Sequence, residues 1–176
     1  MKSLLKSLLI FIFFIFALLI FLPKENLYYF ALKKAYEEKI FVNSKSIKDD
    51  GLSLNIQKSI IYYDDIQALK VKNINLNLYL IHNTINIYDI ALDDMLRQFL
   101  PSKIKSLKIS HSILNPLIVD IKANLVQAKA YGSFDILTNT ILLNIKPSKQ
   151  FLVLYKKLLK NMKKLENGEY QIEYKL

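Results

Sequence analysis

The residue types that carry most enzyme chemistry are sparse in this chain and do not fall at catalytic spacings. The two histidines, His82 and His111, form no H-x-x-x-H or H-x-H pattern, so the sequence holds no ready-made metal site. Cysteine is absent, which excludes a thiol nucleophile, a thiolate metal site and a disulfide. His111 shares its two-residue parity with Ile109 and Ile113, which predicts a structural, hydrogen-bonded histidine rather than a ligand.

Carboxylates occur as three adjacent pairs, Asp49-Asp50, Asp64-Asp65 and Asp93-Asp94. Paired carboxylates can act as general acid and base or bind calcium. These pairs fall at element boundaries, however, where turn and helix-cap preferences already account for aspartate. The three glycines form neither a G-x-G-x-x-G motif nor a P-loop, so nucleotide binding has no support. We therefore predict that the protein is not an enzyme and uses no cofactor.

The net charge of +10 has two explanations. Many Ile, Lys and Asn residues, with 11 Tyr and 10 Phe, are typical of an AT-rich genome, and compositional drift alone could supply part of the charge. Alternatively, the charge attracts anionic lipid headgroups or other anionic partners. Arg97 is the single arginine, which disfavours bidentate recognition of bases, so we expect no nucleic-acid partner.

An unbroken apolar run extends from Leu8 to Leu22 and determines where the rest of the chain resides. With Leu4 and Leu5 it reaches about 19 residues, close to the length of a transmembrane helix. A cleavable signal peptide is the alternative, but no A-x-A-like site follows the run. We predict an uncleaved signal anchor over residues 1–22. Lysines before the run place the N-terminus in the cytoplasm of a bacterium and the bulk of the chain in the periplasm, on the inner membrane.

Residues 23–39 are predicted to form a juxtamembrane helix that starts at Pro23. Tyr28 and Tyr29 follow the membrane span closely, where amphipathic rings favour the lipid–water interface. The helix could equally cap the end of a sheet, and the two interpretations are compatible. Tyr28 and Tyr29 are therefore candidate membrane-surface residues.

From Ile40 the hydrophobic period changes from helical to two residues and stays so for over a hundred residues. Short turns between successive strands exclude parallel crossovers, so the sheet must be antiparallel. The parity changes between Val71 and Ile74, which predicts a bulge near Lys72. The predicted fold is mainly β with two helices: an N-terminal transmembrane helix followed by a curved antiparallel β-meander, either a half-barrel or a taco-like sheet, in a domain over residues 40–176.

A basic amphipathic helix is predicted over residues 148–164. Its apolar residues recur every three or four positions, while lysines occupy the other face. Three interpretations remain open: a helix packed on the sheet, a membrane-surface helix, or a helix that binds a partner. Lys156 and Lys160 are the candidate membrane-surface residues of this segment.

The chain resembles the AsmA-like group, and within it the type II secretion protein N family. The resemblance consists of the anchor and following helix, then GLSLNIQKSIIYY, ALKVKNINLNLYLIHNTINIYDIAL and QAKAYGSFDILTNTILLNIKPSK, and covers about Leu22 to Lys149. It implies a curved antiparallel sheet on an inner-membrane anchor, serving envelope assembly, secretion or lipid movement.

Two roles follow. In the first, the domain is a non-enzymatic scaffold that docks on secretion or envelope-assembly proteins, in part by adding strands at its sheet edge. In the second, the apolar face is an open groove that carries lipid acyl chains or lipopolysaccharide, similar to the bridge component of lipopolysaccharide export. Both roles assign the same residues to the core face or groove: Leu52, Leu54, Ile56, Ile74, Leu76, Leu78, Val119, Ile121, Phe134 and Leu143.

Overall fold

The computed structural model describes residues 2–79, 81–97 and 100–176. Met1, the first residue of the predicted anchor, lies outside the described residues. The helices are α1 (Lys2–Phe21), α2 (Lys24–Glu37), α3 (Asp94–Arg97), α4 (Lys149–Leu154) and α5 (Lys156–Lys160). The strands are β1 (Ile40–Asp49), β2 (Ser53–Tyr63), β3 (Ile66–Asn77), β4 (His82–Leu92), β5 (Lys103–Ser112), β6 (Asn115–Leu125), β7 (Ala128–Asp135), β8 (Thr140–Pro147), β9 (Lys163–Lys164) and β10 (Tyr170–Lys175).

The strands form one open antiparallel sheet in the order β1-β2-β3-β4-β5-β6-β7-β8-β10-β9. Each strand from β1 to β7 pairs with the next along the chain, which is the predicted meander, and β8 pairs with β10. The mainly β class and the antiparallel meander are thus confirmed.

Alternate turns of a meander lie at opposite ends of the sheet, which gives this sheet two distinct ends. We call the end with the turns β1–β2, β3–β4, β5–β6 and β7–β8 the α1 end, because helix α1 finishes there. Ile20 lies beside Gly51 in the β1–β2 turn. The opposite end, with the turns β2–β3, β4–β5 and β6–β7, is the far end.

Helix α1 is long and apolar enough to cross a membrane over Leu4–Phe21, and none of that segment is buried. A helix with phenylalanine and aliphatic residues on all faces has no side suited to water. The last turn of α1 lies beside the β1–β2 turn. The preceding part of the helix does not pack along the sheet and projects away from the domain.

Helix α2 matches the predicted helix 23–39 closely and packs mainly on β1. The Tyr28 hydroxyl lies 3.2 Å from Ser44 Oγ, which in turn lies 2.9 Å from Ser59 Oγ. A short hydroxyl chain therefore joins the helix to the first two strands.

The apolar residues change their two-residue parity, while staying on the same side of the sheet, along a line that crosses strands β1 to β5; Val71 and Ile74, on either side of this line, pack in one cluster. Lys58 in β2 and Asp89 in β4 have left-handed backbones, with φ of 52° and 53°. The predicted bulge near Lys72 is absent, since Gln57 pairs with Asn73 and Ser59 with Val71, so no residue is inserted. Left-handed residues in the neighbouring strands produce the change of parity instead. The line consists of Lys45, Lys58, Lys72, Asp89 and Lys105.

The predicted helix over 148–164 is divided in two at Tyr155 and is wrong beyond Lys160. Helix α4 ends at Leu154, because Tyr155 has a φ of −114° and a ψ of 32°, and α5 ends at Lys160. Lys163 and Lys164 then pair with β10 as a strand. The interruption lets the segment wrap over the sheet, so that Phe151, Leu159 and Met162 are all buried in one cluster with Ala128.

Two of the turns lie on apolar residues rather than on their polar neighbours. The sequence suggests turns at His82-Asn83 and Asn115-Pro116, but β4 begins at His82 and β6 begins at Asn115. The chain reverses instead just before these residues, between β3 and β4 and at Ile113-Leu114. By contrast, Asp64-Asp65 forms the predicted turn, with φ of 48° and 66°, the geometry of a type I′ hairpin.

Candidate functional site

The pairing register places apolar residues from successive strands side by side across almost the whole width of the sheet. The first row consists of Ile47, Ile56, Ile74, Ile87, Leu107, Ala123, Ala130, Ile145 and Tyr170. The second row, one step nearer the α1 end, consists of Leu54, Leu76, Ile85, Ile109, Ile121, Gly132, Leu143 and Ile172. The third consists of His111, Val119, Phe134, Ile141 and Tyr174. We call these three rows the apolar face.

The opposite face of the same strands is polar. Between the first and second rows of the apolar face, the alternate residues are Lys48, Asn55, Asn75, Asn86, Lys108, Lys122, Tyr131, Asn144 and Gln171. A sheet with one apolar and one polar side must cover the apolar side or present it to something other than water.

The apolar side is covered at the far end. Val71, Ile90 and Leu92 are buried there, with Leu96 of α3 packed against them. A second cluster buries Phe151, Leu159 and Met162 of the α4–α5 region against Ala128 and neighbouring strand residues. The short helices therefore act as a lid over the far end of the sheet.

Coverage decreases toward the α1 end. In the second and third rows from β3 to β8, the apolar side chains are half-buried, and Tyr174 on β10 is exposed. At the turns themselves, the exposure of Leu114 reaches 85% and that of Leu137 reaches 75%. From β3 to β8, hydrophobic burial thus falls along the strands, from a closed core at the far end to a bare apolar rim at the α1 end, whereas β2 keeps Leu54 and Ile56 buried near the α1 end.

The predicted groove residues fall into three groups in the structure. Leu54 and Ile56 are buried between β2 and its neighbours, and form core. Leu52 is exposed in the β1–β2 turn and lies outside the face. The other predicted residues are half-buried and lie along the face or, for Leu78, just beyond the end of β3: Ile74, Leu76, Leu78, Val119, Ile121, Phe134 and Leu143.

Lys24 connects helix α1 to the sheet, and its role was not evident from the sequence. The residue is 1% exposed, and its ammonium group donates to the carbonyl oxygens of Leu19 and Leu22 at 3.1 and 3.2 Å. Those carbonyls belong to the last turn of α1 and the residue after it, where a helix leaves acceptors without intrahelical partners. The same ammonium lies 3.8 Å from Asp49 Oδ1 at the end of β1. Lys24 therefore fastens α1 to β1.

The four predicted membrane-surface residues have different surroundings. Tyr28 is half-buried against β1, with its hydroxyl next to Ser44, whereas Tyr29 is exposed. Lys156 and Lys160 are exposed on α5, at the covered far end of the sheet. The structure therefore does not bring the two tyrosines and the two lysines together on one surface.

The polar residues first considered for chemistry are spread over the sheet. His111 Nε2 lies 3.0 Å from the carbonyl oxygen of Pro116, which agrees with the predicted hydrogen-bonded, structural histidine. Among the residues that the structure describes, no three His, Asp or Glu side chains come close enough to hold a metal ion. At the α1 end, hydrogen bonds from Lys48 and Asn55 lower the pKa of Asp50. That cluster stabilises the β1–β2 turn.

The exposed turn residues of the α1 end are the part of the site that sequence reasoning missed. Leu78, Leu80 and Ile113 continue the two-residue alternation of the preceding strands, which predicts strand rather than turn; Leu80 lies outside the described residues. A signal for the turns was nevertheless present in the sequence. Each apolar segment is followed by a polar pair, His82-Asn83 or Asn115-Pro116, and the two-residue alternation of the next strand continues through that pair.

Comparisons of the chain with protein-family models, curated proteins and solved structures found no match.

Proposed function

We propose that this protein is a non-enzymatic, membrane-anchored protein of the bacterial cell envelope that holds lipid acyl chains on its apolar face. The supporting observation is the gradient of burial along that face, which is closed at the far end and increasingly exposed toward α1. A water-soluble domain gains nothing from a broad exposed apolar strip, and such strips usually mark ligand or membrane contact. In this proposal, α1 crosses the inner membrane and the sheet stands in the periplasm.

The chemistry of the face fits acyl chains better than a polar ligand. Its central side chains between β3 and β8 are mainly Ile, Leu, Val and Phe, with Gly132 leaving one position in the second row without a side chain. A hydrocarbon chain needs no directed hydrogen bonds, and burial of each methylene contributes about 0.8 kcal/mol. The sheet supplies a long, uncharged surface of this kind.

Site-specific photocrosslinking in cells tests this function. Ile121 lies on the apolar face and its neighbour Lys122 points to the opposite face, so p-benzoylphenylalanine at these two positions forms a matched pair. We expect phospholipid or lipopolysaccharide adducts at position 121 and far fewer at position 122. Equal yields of lipid adducts at both positions, or none at position 121, would contradict lipid binding on the face.

A second candidate function, that of a scaffold for secretion or envelope-assembly proteins, is supported by the edge of the sheet. Strand β9 pairs with only Tyr170 and Gln171 of β10. In the described part of the chain, the outer side of β10 from Ile172 to Lys175 has no strand partner, and such an edge can accept a strand from another protein. The type II secretion protein N and AsmA-like resemblance is compatible with either role.

The same crosslinker at Glu173, an exposed residue of β10, tests the scaffold. A discrete protein adduct at this position that disappears when the probe is moved to Lys122 would support a strand-edge partner. Lipid adducts at position 121 without any protein adduct at position 173 would favour the carrier over the scaffold.

A further inference from the structure

Three successive turns of the α1 end carry large apolar side chains at their tips. Ile81 precedes β4, Leu114 lies in the β5–β6 turn and Leu137 lies in the β7–β8 turn, and all three are more than half exposed. Further exposed apolar residues surround them: Tyr79, Ile113, Leu117 and Ile136. Hairpin tips normally carry Gly, Asn, Asp, Pro or Ser, because these residues suit both the turn geometry and water. Tips of this composition are therefore suited to an apolar surrounding.

Two of the three connections at the far end are charged, although Tyr63 and Ile66 are exposed beside them, and the third, β6–β7, carries Val126 at 51% exposure. The β2–β3 turn is Asp64-Asp65, and Lys39 Nζ lies 3.0 Å from Asp64 Oδ1. The β4–β5 connection contains Asp93 and Asp94 at the start of α3. Charged tips of this kind suit water. The β1–β2 turn of the α1 end also carries a charged residue, Asp50, so the contrast is between the charged tips and the three apolar tips at β3–β4, β5–β6 and β7–β8.

The position of α1 indicates what covers the apolar tips. The helix reaches the sheet at the same end, where Ile20 contacts the β1–β2 turn at Gly51, and Lys24 fastens the last turn of α1 to Asp49. None of the Leu4–Phe21 segment is buried, and α1 leaves the domain from this point. The bilayer that α1 is proposed to span is therefore the nearest apolar phase to the tips, and it requires no additional partner.

We propose that the apolar tips of the α1 end are seated in the lipid headgroup and upper acyl region of that bilayer. The open end of the apolar face then meets the membrane directly, so a lipid could pass from the leaflet onto the sheet without crossing water. Leucine and isoleucine are residues that insert at this depth, and Tyr79 is suited to the interface. The inference depends on the anchor part of the proposed function, and is independent of whether lipid binds to the face.

Fluorescence quenching in the full chain tests the seating. Because the sequence contains no cysteine, single cysteines at chosen positions can carry an environment-sensitive NBD label without background. The chain is reconstituted in nanodiscs of phosphatidylethanolamine and phosphatidylglycerol, with and without lipid that carries a spin label near the headgroup. Labels are placed at Leu114→Cys and Leu137→Cys for the tips, at Phe11→Cys for the anchor, and at Val153→Cys and Ser102→Cys for the far end.

We expect the Leu114 and Leu137 labels to be quenched roughly twofold or more above the Ser102 label, with blue-shifted emission, as for groups at the membrane interface. Val153 is as exposed as the tips, at 78%, but lies on α4. Quenching at Val153 in place of the tips would show that the basic helices face the membrane, and would overturn the proposal. Equal, water-like emission from Leu114, Leu137 and Ser102 would also overturn it. A Phe11 label without quenching would instead show that the anchor itself is wrong.

A second experiment, with substituted tips, tests whether the quenching is due to seating of the tips or to the label itself. Leu114→Asp and Leu137→Asp are combined, and the reporter is placed at Ile81→Cys. Charged tips should leave the interface, so quenching at Ile81 should fall roughly twofold while quenching at Phe11 is unchanged. Unchanged quenching at Ile81 would contradict a shared seat for the three tips.

Discussion

The two ends of the apolar face are made from the same strands, yet one end is covered by helices and the other is exposed. At the far end, Val71, Ile90, Leu92 and Phe151 are buried beneath α3, α4 and α5. At the α1 end, the same strands finish in apolar turns that the described part of the chain leaves exposed. The chain thus covers one end of its apolar face itself and leaves the other end to its surroundings.

This difference separates stability from function. Closely packed core residues contribute most to the free energy of unfolding, whereas exposed side chains contribute little. The far end should therefore hold the fold together, and the α1 end should be free to contact lipid. Substitutions at the two ends should affect different measurements, and the following predictions test that separation.

The largest effect is expected for Phe151→Ala, because Phe151 is 1% exposed at the centre of the far-end cluster. Removing the buried ring should cost about 3–5 kcal/mol in the free energy of unfolding. The measurement is urea unfolding of the full chain in detergent, followed by circular dichroism. Val153→Ala, on the same helix but exposed, is the control, and Ile136→Ala at the α1 end should change stability by only about 0.5 kcal/mol. Equal losses at Phe151 and Ile136 would remove the distinction between the ends.

Lys24→Met should have the next largest effect, because it leaves the carbonyl groups of Leu19 and Leu22 without their buried donor. Loss of a buried partner costs about 1–3 kcal/mol. The expected signature is faster cleavage near Pro23 by an added protease, together with a lower urea midpoint. Lys33→Met, an exposed position on α2, provides the control. If both variants are cleaved at the rate of the unmodified chain, Lys24 does not fasten α1 to the sheet.

Ser148→Ala tests the lid at the far end. The Ser148 hydroxyl accepts a hydrogen bond from the Phe151 amide at 3.2 Å and so caps α4. Loss of an N-cap typically costs about 1 kcal/mol, measured again as a shift in the urea midpoint. Ser148→Asp retains a capping oxygen and should restore most of the stability. A loss of the same size in both variants would indicate that the cap is not the cause.

The smallest effect is expected at Asp50, in the charged cluster beside the β1–β2 turn. Hydrogen bonds from Lys48 and Asn55 hold the pKa of Asp50 below its ordinary value of 3.8. A carboxylate with a lowered pKa stabilises the folded state above 3.8, and that contribution is lost as the pH falls through the lowered pKa. Asp50→Asn should therefore lower the thermal midpoint slightly at neutral pH and not at acidic pH. A midpoint difference that persists in acid would point to a cause other than the charge.

The architecture of the sheet could be predicted from the sequence because its signals are local. Alternation in residues such as Ile74 and Leu76 determines which strand face is apolar, and short connections impose antiparallel order. The change of parity at Lys72 was also visible. Its cause was not, because left-handed backbones at Lys58 and Asp89 leave no clear trace in the composition.

The candidate site was only partly predictable. Alternation identifies residues such as Ile121 and Leu143 as facing the apolar side, but coverage depends on where the helices after β8 fold back. The interruption at Tyr155 determines where these helices fold back. The sequence does not reveal it, because the spacing of lysines and leucines continues unchanged through Tyr155. The apolar turns were misplaced because turn preferences assume that a tip faces water.

Lys24 has a consequence for how the domain moves. If α1 spans the bilayer as proposed, a loosely tethered domain would meet the lipid with any of its sides, whereas the ammonium group shared by the end of α1 and by Asp49 restricts rotation of the sheet relative to the helix. The domain would then turn about the helix axis with the α1 end of the sheet kept toward the bilayer. Its encounters with the proposed cargo or partner would take place by diffusion in two dimensions.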